Sequence, residues 1–223
     1  MATRITSQAI AQIQEVLTAA ASRGAFEPLA VLRQLRSLGF AGCRYYDVAQ
    51  EAIIKDQSLV LSAYDMDSPP RAEGLKIRLR DATLGRSGLL LRPTISSSTS
   101  AATTAQSEWI AALSLAGKSW IDVPVKQGAE LVGVLACDWW GEPSVLSPDD
   151  VEALTLIANL IASAEQEVVQ FNVASFSTRL VEKIEGGQPT PPRVSDLLDA
   201  GLGFVREALD APVWGAFPIR LEI

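Results

Sequence analysis

Of the side chains that commonly carry catalysis, this chain supplies carboxylates, lysines, arginines and two cysteines, Cys43 and Cys137, and no histidine. The missing imidazole removes the Ser-His-Asp and Cys-His routes to an activated nucleophile. It also removes His-ligated zinc and haem sites, and with them any histidine phosphorelay. Two cysteines fall short of the four thiolates of an all-cysteine zinc site, so neither a metal nor a cofactor is expected. Gly117-Lys118-Ser119 echoes the end of a phosphate-binding loop. That motif needs a glycine five positions before Gly117, where Ala112 stands, and it must open a helix, whereas a strand follows here. Asp149 and Asp150 are adjacent carboxylates, but they follow Ser147 and Pro148 at the head of an apolar helical stripe, and capping accounts for them. Cys43 and Cys137 fall in apolar strands and read as small buried side chains. A reactive thiol needs a cation to hold the thiolate, and the sequence neighbours Arg44 and Asp138 offer one charge of each sign. No catalytic residue emerges, and the expectation is that the chain is not an enzyme.

The clearest elements able to position any of these groups lie between residues 120 and 138. Trp120-Ile-Asp-Val-Pro-Val125 and Leu131-Val-Gly-Val-Leu-Ala-Cys-Asp138 read as two apolar strands joined by a polar turn around Gly128. Upstream, Ile10, Ile13, Leu17 and Ala20 fall at helical spacing before Gly24. A second helix opens at Pro28 and carries Leu29, Leu32, Leu35 and Leu38 to Gly39. Residues 42–48 and 58–64 are bounded, aromatic and branched, and read as strands. Residues 75–80 alternate apolar and basic, the pattern of a strand with one polar face. Residues 94–107 are almost wholly Ser, Thr and Ala and read as a mobile loop or weak helix, followed by a short helix over 109–115. Residues 139–143 read as a turn. The helix that opens at Ser147 carries Leu154, Ile157, Ile161, Ala164, Val168 and Phe171, a stripe that predicts pairing with a second copy. Helical spacing fades near Ser175, residues 186–192 form a Gly/Pro break, and a helix (195–209) and a strand (213–223) follow.

The totals exclude several partners. With 48% apolar and 20% charged residues the 223-residue chain can build a sizeable core. Its net charge of −7 argues against nucleic acid and against an anionic membrane surface. The amino terminus lacks a charged-then-apolar signal pattern, and the apolar runs stop well short of the ~20 residues that span a bilayer. Sparse cysteine suits a reducing compartment, so a cytoplasmic location is expected.

The order of these elements, with Trp120-Ile-Asp-Val-Pro-Val125, the Gly128 turn, Leu131-Val-Gly-Val-Leu135 and Leu146-Ser-Pro-Asp-Asp-Val-Glu-Ala-Leu154, resembles the carboxy-terminal half of a GAF domain. The helix over 29–38 followed by Arg44-Tyr-Tyr46 fits its amino-terminal half more loosely, and the resemblance covers roughly residues 20–170. It implies an α+β fold: a GAF-like antiparallel β-sheet with terminal helices on one face and a loop-roofed pocket on the other. On that basis residues 1–172 form the sensory domain and 173–192 a helical linker and break. Residues 193–223 look like the start of a second such domain.

The resemblance places Tyr46, Arg78, Arg80, Trp109, Asp122 and Asp138 as candidate ligand-binding residues, under a roof formed by residues 85–109. Bilin-binding members of the family use a Cys-His pair that is lacking here. The Asn-Lys-Phe-Asp-Glu set of cyclic-nucleotide-binding members is not traceable, and free-methionine-sulfoxide reductases need a fuller set of cysteines. Two functions follow. One is a sensory or regulatory module that binds a small molecule and signals through dimerising terminal helices to a downstream domain or protein. The alternative is a scaffold with a filled pocket, in which Leu154, Ile157, Ile161 and Val168 carry homodimer contact.

Overall fold

The computed structural model describes residues 5–50, 57–67, 76–78, 90–98 and 110–185. Two helices come first, α1 (Ser7–Ala21) and α2 (Pro28–Ser37). In α1 the Thr6 side chain caps the Ala9 amide, and Ile13, Leu17 and Ala20 are buried at the expected spacing. In α2, Pro28 occupies the first turn, where its missing amide costs nothing, and Val31, Leu32 and Leu35 are buried.

Among the described residues six strands follow: β1 (Gly42–Gln50), β2 (Gln57–Met66), β3 (Lys76–Arg78), β4 (Thr94–Ser97), β5 (Lys118–Gln127) and β6 (Glu130–Trp140). They form one antiparallel sheet in the order β3-β2-β1-β6-β5-β4. The β5–β6 hairpin turns at Gly128, whose positive φ of 62° suits a residue without Cβ. Two readings are corrected. Thr94–Ser97 is an edge strand paired with β5, because a short β-branched and hydroxyl segment can join a ladder that apolar periodicity does not announce. Trp139 and Trp140 belong to β6, and the turn starts at Gly141, whose φ is 102°.

The helix α3 (Pro148–Glu185) closes the domain. Its start is a reciprocal cap: the Asp150 amide donates to Ser147 Oγ at 3.1 Å, and the Ser147 amide to Asp150 Oδ2 at 3.2 Å. The Ile5 amide donates to the other Asp150 oxygen at 3.0 Å, which ties the segment before α1 to the start of α3. Helices α1, α2 and α3 share one face of the sheet. Ile13, Leu17, Leu32 and Leu35 pack there with Tyr45, Ile121, Val123, Leu135, Trp139, Leu154, Ile157 and Ile161. Leu154, Ile157, Ile161 and Val168 are therefore occupied within this chain and do not form the dimer seam that their spacing suggested. Past Val168 the apolar residues Val169, Phe171 and Val173 are exposed, and the helix continues beyond Ser175 to Glu185. The expected helix-strand tail over 193–223 lies outside the described residues.

Candidate functional site

Side chains alternate across a strand, and that alternation assembles the site. Tyr46, Trp120, Val134 and Ala136 lie on the sheet face away from the helices, in a second apolar cluster with Leu59, Leu61, Ile110, Leu113 and Leu115. Arg44, Lys118, Asp122 and Asp138 stand two positions from these on their strands and share that face. Cross-strand pairing aligns them in rows. One row runs Arg44, Ala136, Asp122, Thr94 across β1, β6, β5 and β4; the next runs Gly42, Asp138, Trp120, Ser96.

The floor of these rows is made of small residues. Ala136 separates Arg44 from Asp122, and a Cβ added to Gly42 would lie 2.6 Å from Asp138 Oδ1. Charged side chains can therefore lean over the central strands. Arg44 Nη1 is 3.1 Å from Asp138 Oδ1, and Lys118 Nζ is 2.9 Å from Asp138 Oδ2. The Lys118 ammonium also sits 5.1 Å from the centroid of the exposed Trp140 ring. Arg44, Asp122, Asp138 and Lys118 are exposed by only 1%, 0%, 0% and 6%. Charges this buried persist only when paired, and Asp138 receives a cation on each oxygen.

The remaining groups are less settled. Arg44 Nε has no hydrogen-bond partner among the described residues, nor has Thr94 Oγ1 beside Asp122. The Nη1–Asp138 approach is an ion pair outside hydrogen-bond geometry. Burial works to lower the Arg44 pKa, yet Tyr46, Asp138 and Asp122 together hold it above its usual value. Burial pushes the Asp122 carboxyl up to about 7, against the pull of Arg44 and a hydrogen bond from Trp120. The Tyr46 phenol is likewise raised by burial, with Arg44 beside it opposing the shift. The face thus presents a guanidinium edge and a carboxyl poised to change protonation near neutrality. Buried polar atoms with unfilled bonding capacity call for an explanation.

The helix face holds a second polar group. The Tyr45 hydroxyl donates to Glu165 Oε1 on α3, and the Phe26 ring meets the Tyr45 ring edge-on at 5.6 Å. Burial raises Glu165 to about 7 and Asp47 to about 6. Cys43 and Cys137 are cross-strand partners on this face, with Sγ atoms 3.7 Å apart, both free and buried. Burial raises the Cys43 pKa well above that of an ordinary thiol.

Of the residues singled out from sequence, Tyr46, Asp122 and Asp138 come together on the face away from the helices. Arg78 lies on the far edge strand β3, opposite Ser58. Arg80, Trp109 and most of the expected 85–109 roof lie outside the described residues. Arg44, Lys118 and Trp120 were missed. Counting by two from Tyr46 reaches Arg44, and from Asp122 reaches Trp120 and Lys118. Among the described residues no cluster of three or more acids or cysteines could hold a metal ion, and no helix is long and apolar enough to cross a membrane.

The family model of the GAF domain matches residues 92–165. No curated protein matches the chain in sequence. Among solved structures, the fold is similar to that of a free methionine-R-sulfoxide reductase from Neisseria meningitidis in complex with its substrate. That match has a TM-score of 0.57 at 18% identity and covers 75% of this chain and 95% of that one. It is also similar to residues 122 to 287 of a methyl-accepting chemotaxis protein, with a TM-score of 0.55 at 22% identity over 72% and 98% of the two chains. The phycoerythrobilin-bound GAF domain of a cyanobacterial phytochrome matches with a TM-score of 0.56 at 17% identity over 74% and 100%. The reductase corrects the expectation that the chain is not an enzyme. This fold carries catalysis in that protein, so the lack of histidine and of a familiar motif does not exclude it here.

Proposed function

We propose that this domain, with the GAF fold and a GAF match over residues 92–165, is a sensory module that holds a small polar molecule over Ala136 and passes its occupancy to α3. The observation that carries this reading is the row Arg44, Ala136, Asp122. Two buried charged side chains flank a small residue, and the guanidinium retains an unpartnered Nε. Convergent polar groups on an otherwise apolar surface are the usual makings of a ligand site. The similar folds of the chemotaxis protein and the phytochrome domain support a sensory role.

The route to α3 is short. Tyr46 faces the site and Tyr45, its neighbour on β1, donates to Glu165 of α3. A register irregularity in the β1–β2 ladder falls between these two tyrosines. A ligand that draws on Arg44 and Tyr46 shifts α3 to the extent that it binds one β1 arrangement more tightly than the other. For the output, α3 beyond Val168 offers Val169 and Val173 one helical turn apart and exposed. A second copy or a downstream signalling protein would meet it there.

Native mass spectrometry of gently purified protein tests the binding reading. Extra mass on the wild type that is lost from the Ala136→Leu variant is the expected result. Bare protein, together with a set of polar small molecules that leaves its melting temperature unmoved, would refute it. Light scattering of a Val169→Glu, Val173→Glu variant tests the output: a wild-type dimer becomes a monomer if α3 carries the contact.

A further inference from the structure

We infer that the molecule held over Ala136 carries an oxyanion, of the carboxylate class, seated on Arg44, and that its arrival is accompanied by uptake of one proton at Asp122. The inference rests on the binding reading above and adds the ligand's charge.

The argument begins with what each charged group has already committed. Both Asp138 oxygens are occupied by cations, Arg44 on Oδ1 and Lys118 on Oδ2, so Asp138 offers little to an incoming cation. Arg44 keeps donor capacity, since a guanidinium has five N–H donors in a fixed fork and Nε has no partner among the described residues. An acceptor-rich group fits that edge, and a carboxylate matches its fork geometry. Thr94 Oγ1, also without a partner, lies on the same row as a further donor.

The second half concerns Asp122. Facing it are Arg44 and Tyr46 from β1, Asp138 from β6 and Thr94 from β4, with Trp120 and Lys118 on its own strand. Arg44 is the cation that favours its ionised form. An anion that takes the Arg44 donors withdraws that support and sets a second negative charge nearby in a site without solvent. Two such charges are not both retained at close range. Asp122 already titrates near neutrality because of its burial, so a proton from solvent resolves the conflict. Protonated, its carboxyl gains a donor that can bond the anion.

Acetate is the probe, because it stays ionised between pH 6 and pH 8, with acetamide and methylammonium as neutral and cationic analogues of similar size. Affinities are read by titration calorimetry on the full chain at constant ionic strength. Acetate should bind about tenfold more tightly at pH 6 than at pH 8, following the protonated fraction of a group that titrates near 7. Repeating the titration in buffers of different ionisation heat should show up to one proton taken up. Asp122→Asn should retain acetate binding and lose its pH dependence, and Ala136→Leu should abolish binding. Arg44→Gln should do the same, and near-native circular dichroism would show that this variant still folds. Acetamide or methylammonium binding where acetate does not overturns the charge assignment, as does a co-purified mass that proves neutral or cationic. Equal acetate affinity at both pH values overturns the proton linkage. If no probe binds and the protein carries no extra mass, the binding reading itself falls.

Discussion

Gly42 and Asp138 face each other across the central strands β1 and β6, and the Asp138 carboxylate fills the space that a side chain on Gly42 would need. A Cβ there would lie 2.6 Å from Oδ1, too close for both to stay. Gly42→Ala should therefore push the carboxylate from between Arg44 and Lys118. The loss in urea unfolding should approach the ~3–5 kcal/mol typical of breaking a buried charge pair. A loss under about 1 kcal/mol would mean that Asp138 relocates without losing its partners.

Stability should fall as pH rises from about 4 to about 7. Burial holds Asp122 and Glu165 near 7 and Asp47 near 6 in the folded chain, above their unfolded values. In that window the native state binds more protons than the unfolded state, so each rise in pH favours unfolding. One such group contributes at most about 1.4 kcal/mol per pH unit. Asp122→Asn should flatten the urea-midpoint profile between these limits; an unchanged slope would show that Asp122 titrates as an ordinary surface acid.

Tyr45→Phe and Glu165→Gln should differ at pH 8. The first leaves the partly buried Glu165 without its donor and should cost about 1 kcal/mol, the lower end of the penalty for an unsatisfied acceptor. The second keeps an acceptor for the Tyr45 hydroxyl and should cost less. Equal losses in urea unfolding would mean that leaving the Glu165 carboxylate without its donor carries no penalty of its own.

The thiols of Cys43 and Cys137 should resist labelling in the native state, because both are buried and burial raises the Cys43 pKa. Reaction with a disulfide reagent should proceed no faster than unfolding and reach both thiols in denaturant. Rapid native labelling would reveal opening of β1 from β6 that leaves the rest of the domain folded.

Some of this organisation was legible from residues alone. The β5–β6 hairpin and the capped start of α3 carry local signals that agree with one another, in the Gly128 turn and the Ser147–Asp150 cap. Thr94–Ser97 was misread because its pairing partner Ser119–Asp122 is distant in sequence and supplies the hydrogen bonds. The site was half legible. Tyr46, Asp122 and Asp138 were named without a known strand face, whereas Arg44 and Lys118 become visible only when their parity is tied to neighbours. Register across β6 then brings Arg44 and Asp122 together, a relation between residues 44 and 122 that no local pattern encodes. The apolar stripe on α3 is legible as a stripe, but Leu154, Ile157, Ile161 and Val168 are covered by this chain itself and Phe171 is exposed, since periodicity shows that a face is apolar and not what buries it.

The length of α3 has a mechanical consequence. The helix is held against α1 and the sheet from Asp150, bonded to Ile5, as far as Phe171 and Asn172, which lie against Gly24. The thirteen residues beyond Asn172 extend it by about 20 Å at the α-helical rise. A tilt of about 5° at the anchored part would swing the far end by nearly 2 Å over that arm. An arm of this length would multiply any tilt of its anchored part, so that a small adjustment at the sheet would become a displacement of ångström scale at the far end.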